Sequence, residues 1–279
     1  MPAQHTVIRT VATRVVLVLG LVVSALTLAT GPAIAQQPRP TIVLVHGAFA
    51  DASGWNDVAE NVKKHGYKVQ TFDNPLRSPK YDSAQLQRQL DTISGPIVLV
   101  GHSYGGFVIT NTHDSDVRAN VYIAAFAPTT GEFVQGLLNP ITYPGSRLLP
   151  PALQLKVVED DPTGFRGSNV DGYIAQQYFR EIFAQDVSPA VAATMFAHQK
   201  SAALVANLEP SGAPSWTTVP SWYLISQHDR VIPPALQSFM AGRAAPGRTF
   251  QVSASHASLV SQPEAVTEVV LRAAAAAQR

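Results

Sequence analysis

The sequence predicts an α/β protein with a mostly parallel central sheet of about six strands, flanking helices and a helical cap insertion. Short apolar, β-branched runs recur along the chain, as expected for strands that are buried on both faces. Segments with helical patterning separate these runs, and such alternation is typical of βαβ units. The chain has 279 residues, 46% of them hydrophobic, which is ample for one large packed core.

The apolar runs give the strands in chain order, and the segments between them give the helices. The predicted strands are 41–45, 68–72, 96–100, 121–126, 222–225 and 249–252. The predicted helices are 53–64, 83–93 with Ser83 as its N-cap, one starting at 106–110, one opening at Pro233, and 263–278. The last of these is rich in alanine and valine, and we expect it to cover the sheet.

The alternation of strands and helices breaks over residues 129–217, which contain eight prolines. An insertion at the carboxyl ends of sheet strands lies above the active site as a lid. The sequence therefore predicts a core of 41–128 and 218–279 with a cap over 129–217. Aromatic residues in stretches of helical patterning are expected either to line a pocket or to pack only the cap's own core: Tyr173, Tyr178, Phe179, Phe183 and Phe196.

Residues 1–35 have the pattern of a secretory signal peptide. Arg9 and Arg14 lead into an apolar run over 15–28, and Ala33-Ile34-Ala35 matches an A-x-A cleavage site. We expect cleavage near Ala35, a proline-broken linker over 36–40, and a secreted protein without stable membrane association. The alternative is an uncleaved anchor, although the apolar run is short for a membrane-spanning helix.

Charge and composition exclude several classes of function. The formal net charge is +1, and it becomes −1 without residues 1–35, so no electrostatic feature favours nucleic acid or an anionic membrane as partner. Because the chain has no cysteine, disulfides, thiol catalysis and cysteine-ligated zinc are excluded. His46, His102 and His256 do not have the spacing of metal ligands, so no metal site is predicted.

The segment Gly101-His102-Ser103-Tyr104-Gly105 matches G-x-S-x-G between a buried strand and a helix. In such a turn the chain reverses so sharply that side chains two residues before and after the serine would collide. The turn lifts the serine hydroxyl clear of the sheet, which predicts Ser103 as a nucleophile. The alternative is a glycine-rich turn with an incidental serine.

A serine nucleophile needs a base, and the base needs an acid that fixes its tautomer. In this arrangement the chain order is serine, acid, histidine. Asp229 follows the late run 221–226, and His256 follows the last predicted strand, so we predict Asp229 as the acid and His256 as the base. The alternatives are a helix-capping role for Asp229 and a turn-capping role for His256.

The loop after the first strand is predicted to complete an oxyanion hole. Gly47 lets the backbone approach the substrate, and the N–H groups of Ala48 and Tyr104 can bind the developing negative charge. Phe49, the next residue of the loop, is assigned to the same substrate-binding region. His46 is expected to hold the loop by hydrogen bonds rather than to transfer protons.

On these motifs, residues 41–275 resemble the α/β-hydrolase superfamily. The segments V-H-G-A-F, A-A-F-A-P-T-T-G-E and I-P-P-A-L-Q resemble compact esterases related to plant methyl esterases and hydroxynitrile lyases. The resemblance implies a cofactor-free hydrolase with a helical cap. The lyases carry threonine where this chain has Gly47 and lysine where it has Ala257, and these departures favour ester hydrolysis.

The sequence thus predicts a secreted serine hydrolase that cleaves small-molecule carboxylic esters through an acyl-enzyme. One alternative is a cofactor-free perhydrolase or haloperoxidase-like enzyme with the same triad. A non-enzymatic alternative is a ligand-binding relative with very slow turnover. The natural substrate, its acyl-chain length and the oligomeric state are left open.

Overall fold

A six-stranded, entirely parallel sheet organises the computed structural model, which describes residues 38–278. Its strand order is β2-β1-β3-β4-β8-β9. These strands are β1 Thr41–Val45, β2 Lys68–Phe72, β3 Ile97–His102, β4 Val117–Ile123, β8 Ser221–Ser226 and β9 Thr249–Val252. The predicted α/β architecture is confirmed, and the nucleophile strand β3 lies between β1 and β4 in the interior of the sheet.

Helices cover both faces of this sheet. The helices are α1 Asn56–Lys64, α2 Pro79–Leu90, α3 Gly105–Thr110, α4 Val134–Leu137, α5 Gln176–Phe183, α6 Pro189–Ala197, α7 Leu204–Leu208, α8 Pro234–Ala244, α9 Ser258–Ser261 and α10 Pro263–Ala276. Alternate residues of β1 point to opposite faces, so Ile42 packs in the layer of α1 and α10, while Val43 packs in the layer of α2, α3 and α8. The central strands β1, β3 and β8 are therefore buried on both faces, which explains their uninterrupted apolar runs, whereas the edge strands β2 and β9 are partly exposed.

Two predicted boundaries are wrong for identifiable reasons. Helix α2 begins after Ser78, whose hydroxyl accepts from the Tyr81 N–H at 3.3 Å, and Ser83 lies inside the helix. Pro79 suits the first helical position because its missing N–H would have no intrahelical partner there. Strand β4 covers 117–123 rather than 121–126, because Ala124 adopts a left-handed φ of 42° that ends the strand.

The segment 129–217, which we call the cap, is only partly helical. It carries a three-stranded antiparallel sheet of β5 Leu153–Glu159, β6 Ser168–Ile174 and β7 Ala202–Ala203, in addition to α4–α7. The expectation of a helical cap is therefore wrong for this part, and Tyr173 lies in β6 rather than in a helix. Strands β5 and β6 form a hairpin in which Glu159 pairs with Ser168 and Leu153 with Ile174, and a search for helical periodicity does not detect such pairing.

The predicted signal peptide and residues 36 and 37 of the linker lie outside the described residues. Residues 38–40 have no regular secondary structure and lead directly into β1. Within 38–278, the helices are all too short or too polar to cross a lipid bilayer.

Candidate active site

The turn between β3 and α3 holds Ser103 in a strained conformation. Its φ is 53°, in the left-handed region that residues with a side chain rarely adopt. The backbone around it is fixed from both sides: the Ser103 N–H donates to the Ile123 carbonyl at 3.3 Å, and the Ser103 carbonyl accepts from Gly106 at 3.0 Å and Phe126 at 3.1 Å. Such strain persists only where the surrounding structure enforces it, and it is typical of functional sites.

Two glycines of the motif allow the turn to close. A Cβ atom on Gly101 would lie 2.7 Å from the Gly105 carbonyl oxygen, and a Cβ on Gly105 would lie 2.5 Å from the Val45 carbonyl oxygen. These are backbone atoms of α3 and β1, and they cannot move aside without displacing the helix or the strand. The collision expected from the sequence is therefore present, and it also involves the neighbouring strand β1.

We expect Gly106→Ala to destabilise the protein, because the new Cβ would overlap the Phe126 carbonyl oxygen. Overpacking of this kind costs about 1–3 kcal/mol of unfolding free energy. Gly242→Ala is the matched control, since Gly242 also lies in a helix but has no atom within 4 Å of its Cβ position. There alanine should stabilise by about 0.5–1 kcal/mol through the lower entropy of the unfolded chain. Urea unfolding measures both changes, and equal effects would contradict the packing argument.

Asp229 and His256 form a buried pair near the carboxyl ends of β8 and β9. Asp229 Oδ2 lies 2.7 Å from His256 Nδ1, and both side chains are completely buried. Because a carboxylate only accepts, Nδ1 carries the proton and Nε2 presents a lone pair. Within the described residues, Nε2 has no hydrogen-bond partner. The imidazole therefore has the tautomer that a general base requires.

The Asp229 carboxylate is held by three further donors. Oδ1 accepts from the N–H groups of Val231 at 2.7 Å and Ile232 at 2.9 Å, and Oδ2 also accepts from Gln237 Nε2 at 2.8 Å. Asp229 thus caps the turn before α8 and also holds His256, so the two interpretations from the sequence are compatible. The bonds leave the carboxylate no freedom to rotate away from the imidazole.

Two rings enclose the His256 imidazole. The Phe183 ring from the cap stands edge-on at a centroid distance of 4.8 Å, and the His102 ring lies at 4.7 Å. His102 Nε2 also lies 2.9 Å from the His256 carbonyl oxygen, to which it donates. Burial, followed by the nearby His256, holds the pKa of His102 well below its usual range, so His102 stays neutral. Ser103 follows His102 directly, which brings nucleophile and base to one place, although no Ser103–His256 hydrogen bond is formed.

The predicted oxyanion loop lies against the nucleophile. A Cβ on Gly47 would approach Ser103 Cβ to 2.6 Å and Ser103 Oγ to 3.2 Å, so Gly47 is required for contact with the serine itself. Within residues 38–278, neither the Ala48 nor the Tyr104 N–H donates to another residue. The Phe49 N–H, in contrast, donates to the Lys200 carbonyl of the cap at 3.1 Å. The two N–H groups predicted to bind an oxyanion are therefore the ones that remain available.

His46 holds this loop in place, as the sequence led us to expect. Its Nδ1 lies 2.9 Å from the Gly47 carbonyl oxygen, and its Nε2 accepts from the Asn74 N–H at 2.9 Å. The Asn74 side-chain Nδ2 donates to the His46 carbonyl oxygen at 3.0 Å. With both ring nitrogens engaged, His46 stabilises the loop and has no free position for proton transfer.

Residues 42–269 match a family model described as the alpha/beta hydrolase family. The match covers most of the chain. The chain belongs to the alpha/beta hydrolase family. This confirms the family that the motifs around Ser103, Asp229 and His256 indicated, and it agrees with the parallel sheet and the sharp turn after β3.

Named relatives of this hydrolase include enzymes that cleave esters. The pyrethroid hydrolase of Sphingobium wenxiniae is 27% identical over 251 residues, 82% of this chain and 85% of the relative. The carbendazim hydrolyzing esterase of Nocardioides sp. is 29% identical over 144 residues, so the matched part spans 46% of this chain and about half (55%) of that relative. Polyneuridine aldehyde esterase superposes with a TM-score of 0.71 at 17% identity, covering 84% and 99% of the two chains, and at this identity the likeness shows the fold alone.

Sequence reasoning missed two buried polar residues of this hydrolase. Gln237 lies under Asp229, where its Oε1 accepts from the Ser226 N–H at 3.0 Å. Asp82 is completely buried beside the nucleophile turn and accepts from the Tyr104 hydroxyl. A sequence signal existed for Asp82, because it shares one helical face with Leu86 and Leu90 at a spacing of four residues. A carboxylate on an apolar face indicates a partner from elsewhere in the chain.

Proposed function

We propose that the protein is a carboxylic ester hydrolase in which Ser103 attacks the ester and an acyl-enzyme forms. The observation that carries the proposal is the completely buried Asp229–His256 pair at 2.7 Å, beside the strained Ser103 turn. This arrangement provides a base with a free nitrogen next to an available hydroxyl. The name of the carbendazim hydrolyzing esterase, a sequence relative, supports the same reaction class.

The reaction then follows from the roles of these groups. Ser103 Oγ bonds to the ester carbonyl carbon while its proton moves to His256 Nε2, and the carbonyl electrons move onto oxygen. The N–H groups of Ala48 and Tyr104 stabilise this oxyanion. When the intermediate collapses, the C–O bond to the alcohol breaks and His256 returns its proton to the leaving oxygen. Water repeats the sequence on the acyl-enzyme and releases the acid.

The test is hydrolysis of p-nitrophenyl acetate and butyrate by the purified protein. We expect a burst of nitrophenol followed by steady turnover, because the activated nitrophenyl ester makes acylation faster than the deacylation that follows it. A fluorophosphonate should label Ser103 and block the activity. Labelling without turnover would instead favour the ligand-binding alternative. Peroxide-dependent halogenation in carboxylate buffer without ester turnover would favour the perhydrolase alternative.

We also propose that residues 1–35 direct secretion and are then removed. The support is the sequence pattern itself: Arg9 and Arg14 before an apolar run, followed by Ala33-Ile34-Ala35. Expression of the full chain in a secreting host should give an extracytoplasmic protein whose N-terminus lies near Gln36. A protein that keeps residue 1 and remains in the membrane fraction would contradict this proposal.

We further propose that the cap sets the preference for the acyl group and that Phe183 is the residue to change. Its ring contacts His256, whereas Phe179 packs behind it against Phe183 and Phe196, at centroid distances of 5.1 and 5.7 Å. Phe183→Ala should shift the ratio of kcat/KM for octanoate over acetate esters by tens of fold, since each methylene in a pocket contributes about 1–3 kcal/mol.

Phe179→Ala and Tyr178→Ala serve as matched variants on the same helix. Phe179 is fully buried, so its loss should lower the unfolding free energy by about 3–5 kcal/mol without changing the acyl preference. Tyr178 is only partly buried and packs at the edge of the same cluster. If all three variants keep the wild-type preference, these aromatic residues form only the core of the cap.

A further inference from the structure

A buried carboxylate lies between the nucleophile turn and the cap. Both oxygens of Asp82 accept from the Arg77 N–H at 3.1 Å, and Oδ2 also accepts from the Tyr104 hydroxyl at 2.8 Å. Burial raises the pKa of Asp82 to about 6, partly offset by these hydrogen bonds. A carboxylate in such a place destabilises the fold unless it has partners, and Asp82 takes no part in the proposed ester chemistry.

Arg77 binds Asp82 through its backbone N–H and binds the cap through its side chain. Arg77 uses all five of its guanidinium N–H groups. Nη1 donates to Asp161 at 2.7 Å and to Asp171 at 3.0 Å, and Nη2 donates to Asp171 at 2.8 Å and to the Ser201 carbonyl at 3.1 Å. Nε donates to the Pro75 carbonyl at 2.9 Å. Since Asp161 and Asp171 lie on the β5–β6 hairpin, this fork holds the cap to the core.

Asp82 also binds Tyr104, whose backbone N–H is assigned to the oxyanion hole. The Tyr104 ring is buried and lies nearly parallel to the Phe107 ring, with an interplanar angle of 19°. The Tyr104 pKa is raised well above its usual value by burial and by Asp82, so the phenol remains a donor. With ring and hydroxyl both fixed, the backbone of Tyr104 has one orientation.

We propose that Asp82 is a positioning residue that fixes the Tyr104 N–H in the oxyanion hole and, through Arg77, couples this N–H to the seating of the cap. The assignment of the N–H to an oxyanion rests on the proposed ester hydrolysis. The coupling itself depends only on the hydrogen bonds from Asp171 through Arg77 and Asp82 to Tyr104.

The kinetic test uses two variants with little change of shape. Tyr104→Phe removes the hydroxyl that donates to Asp82, and Asp82→Asn replaces one of the two accepting oxygens by an NH₂ donor that faces an N–H or O–H donor. Loss of a whole oxyanion donor lowers kcat by about 10²–10³-fold, so a misplaced donor should lower kcat by about 10–100-fold. KM should change less than about threefold, because the oxyanion exists only in the transition state. Tyr81→Phe and Asp91→Asn are matched controls, since both residues are exposed and lie on or at the end of α2.

A second measurement does not depend on catalysis. Amide hydrogen exchange of peptides covering 102–107 should become faster in Asp82→Asn and also in Asp171→Asn, although Asp171 lies in the cap. Asp160→Asn is the control for the latter, because Asp160 is exposed and precedes the hairpin turn. If Asp171→Asn does not fold, Asp161→Asn removes the neighbouring bond of the same fork.

The pH dependence of stability gives a readout of the Asp82 charge. Because its pKa is about 6 in the folded protein, above the ordinary 3.8, the folded state binds more protons between these values. The Asp82 contribution to stability should therefore increase as pH falls from about 7 to about 4.5. Arg77 and Tyr104 face this carboxylate, and Glu209 adds a like charge near Tyr104. The urea midpoint of the wild type should rise relative to that of Asp82→Asn over this interval.

The outcomes separate this inference from the proposed function. Without wild-type ester turnover, the proposed function fails, while faster exchange at 102–107 in Asp171→Asn would still support the coupling. The inference is overturned if exchange at 102–107 is unchanged in both aspartate variants. It is also overturned if Tyr104→Phe and Asp82→Asn keep kcat within twofold of an active wild type.

Discussion

Replacement of Ser103 by alanine should lower kcat for ester hydrolysis by about 10⁴-fold or more, because nucleophile and base act as a unit. The fold should persist. The turn is held by a backbone bond from Ser103 to the Ile123 carbonyl and by backbone bonds from Gly106 and Phe126 to Ser103, and none of them involves the serine hydroxyl. Alanine has the same steric difficulty at a φ of 53° as serine, so the variant adds no new strain.

Burst kinetics with p-nitrophenyl butyrate and labelling with a fluorophosphonate measure this loss. Both the burst and the label should disappear in Ser103→Ala. Ser238→Ala is the matched control, since that hydroxyl only donates to the Pro234 carbonyl on the exposed side of α8. Residual activity within about tenfold of the wild type would remove Ser103 from the mechanism.

The second large effect is expected for Asp229→Asn, which should lower kcat by about 10³–10⁴-fold. Each carboxylate oxygen faces two donors, Val231 and Ile232 N–H on one side and Gln237 and His256 on the other. An asparagine amide must direct its NH₂ group toward one of these pairs. If it faces His256, the imidazole accepts at Nδ1 and carries its proton on Nε2, so it cannot take the Ser103 proton.

The same substitution separates the two roles of Asp229. If Asp229 only capped the turn before α8, the variant would lose stability while its folded fraction kept kcat within about tenfold of the wild type. The pH profile of kcat and urea unfolding, measured side by side, distinguish these results. Asp57→Asn on the exposed side of α1 is the control for loss of one negative charge. It should leave the pH profile unchanged and lower the unfolding free energy by only about 0.3–1 kcal/mol, because Asp57 lies in the first turn of the helix.

The predictable parts of this hydrolase depend on short-range chemistry. The buried strands β1, β3 and β8 can be predicted from their apolar runs, because helices cover both faces of the parallel sheet there. The turn at Ser103 can also be predicted from local sequence. A side chain at either glycine of the motif would collide with backbone atoms that lie within a few residues or on the adjacent strand. Asp229 and His256 were found from their order and from their positions after late strands, which topology brings to one edge of the sheet.

The start of α2 and the end of β4 were predicted wrongly, because residue preferences near each boundary are compatible with more than one position. Helix α2 begins at Pro79 with Ser78 as its N-cap, ahead of the predicted cap Ser83. Serine is a favourable N-cap residue at either position, so the residue type alone does not decide between them. Strand β4 ends before the apolar run 121–126 does, because the backbone turns at Ala124 and the Phe126 N–H then donates to the Ser103 carbonyl. Propensity within the run contains no information about that distant partner.

By itself, the sequence determined the α/β core, the family and the residues placed at the carboxyl edge of the sheet, because periodicity, glycine sterics and chain order are local properties. The tertiary structure alone decided which polar groups meet across the chain. Asp82 binds Tyr104, Gln237 supports Asp229, and the cap hairpin binds Arg77 through contacts 84 and 94 residues apart. Such pairs form only when packing excludes water and leaves a buried charge with one available partner, a condition that neighbouring residues do not specify.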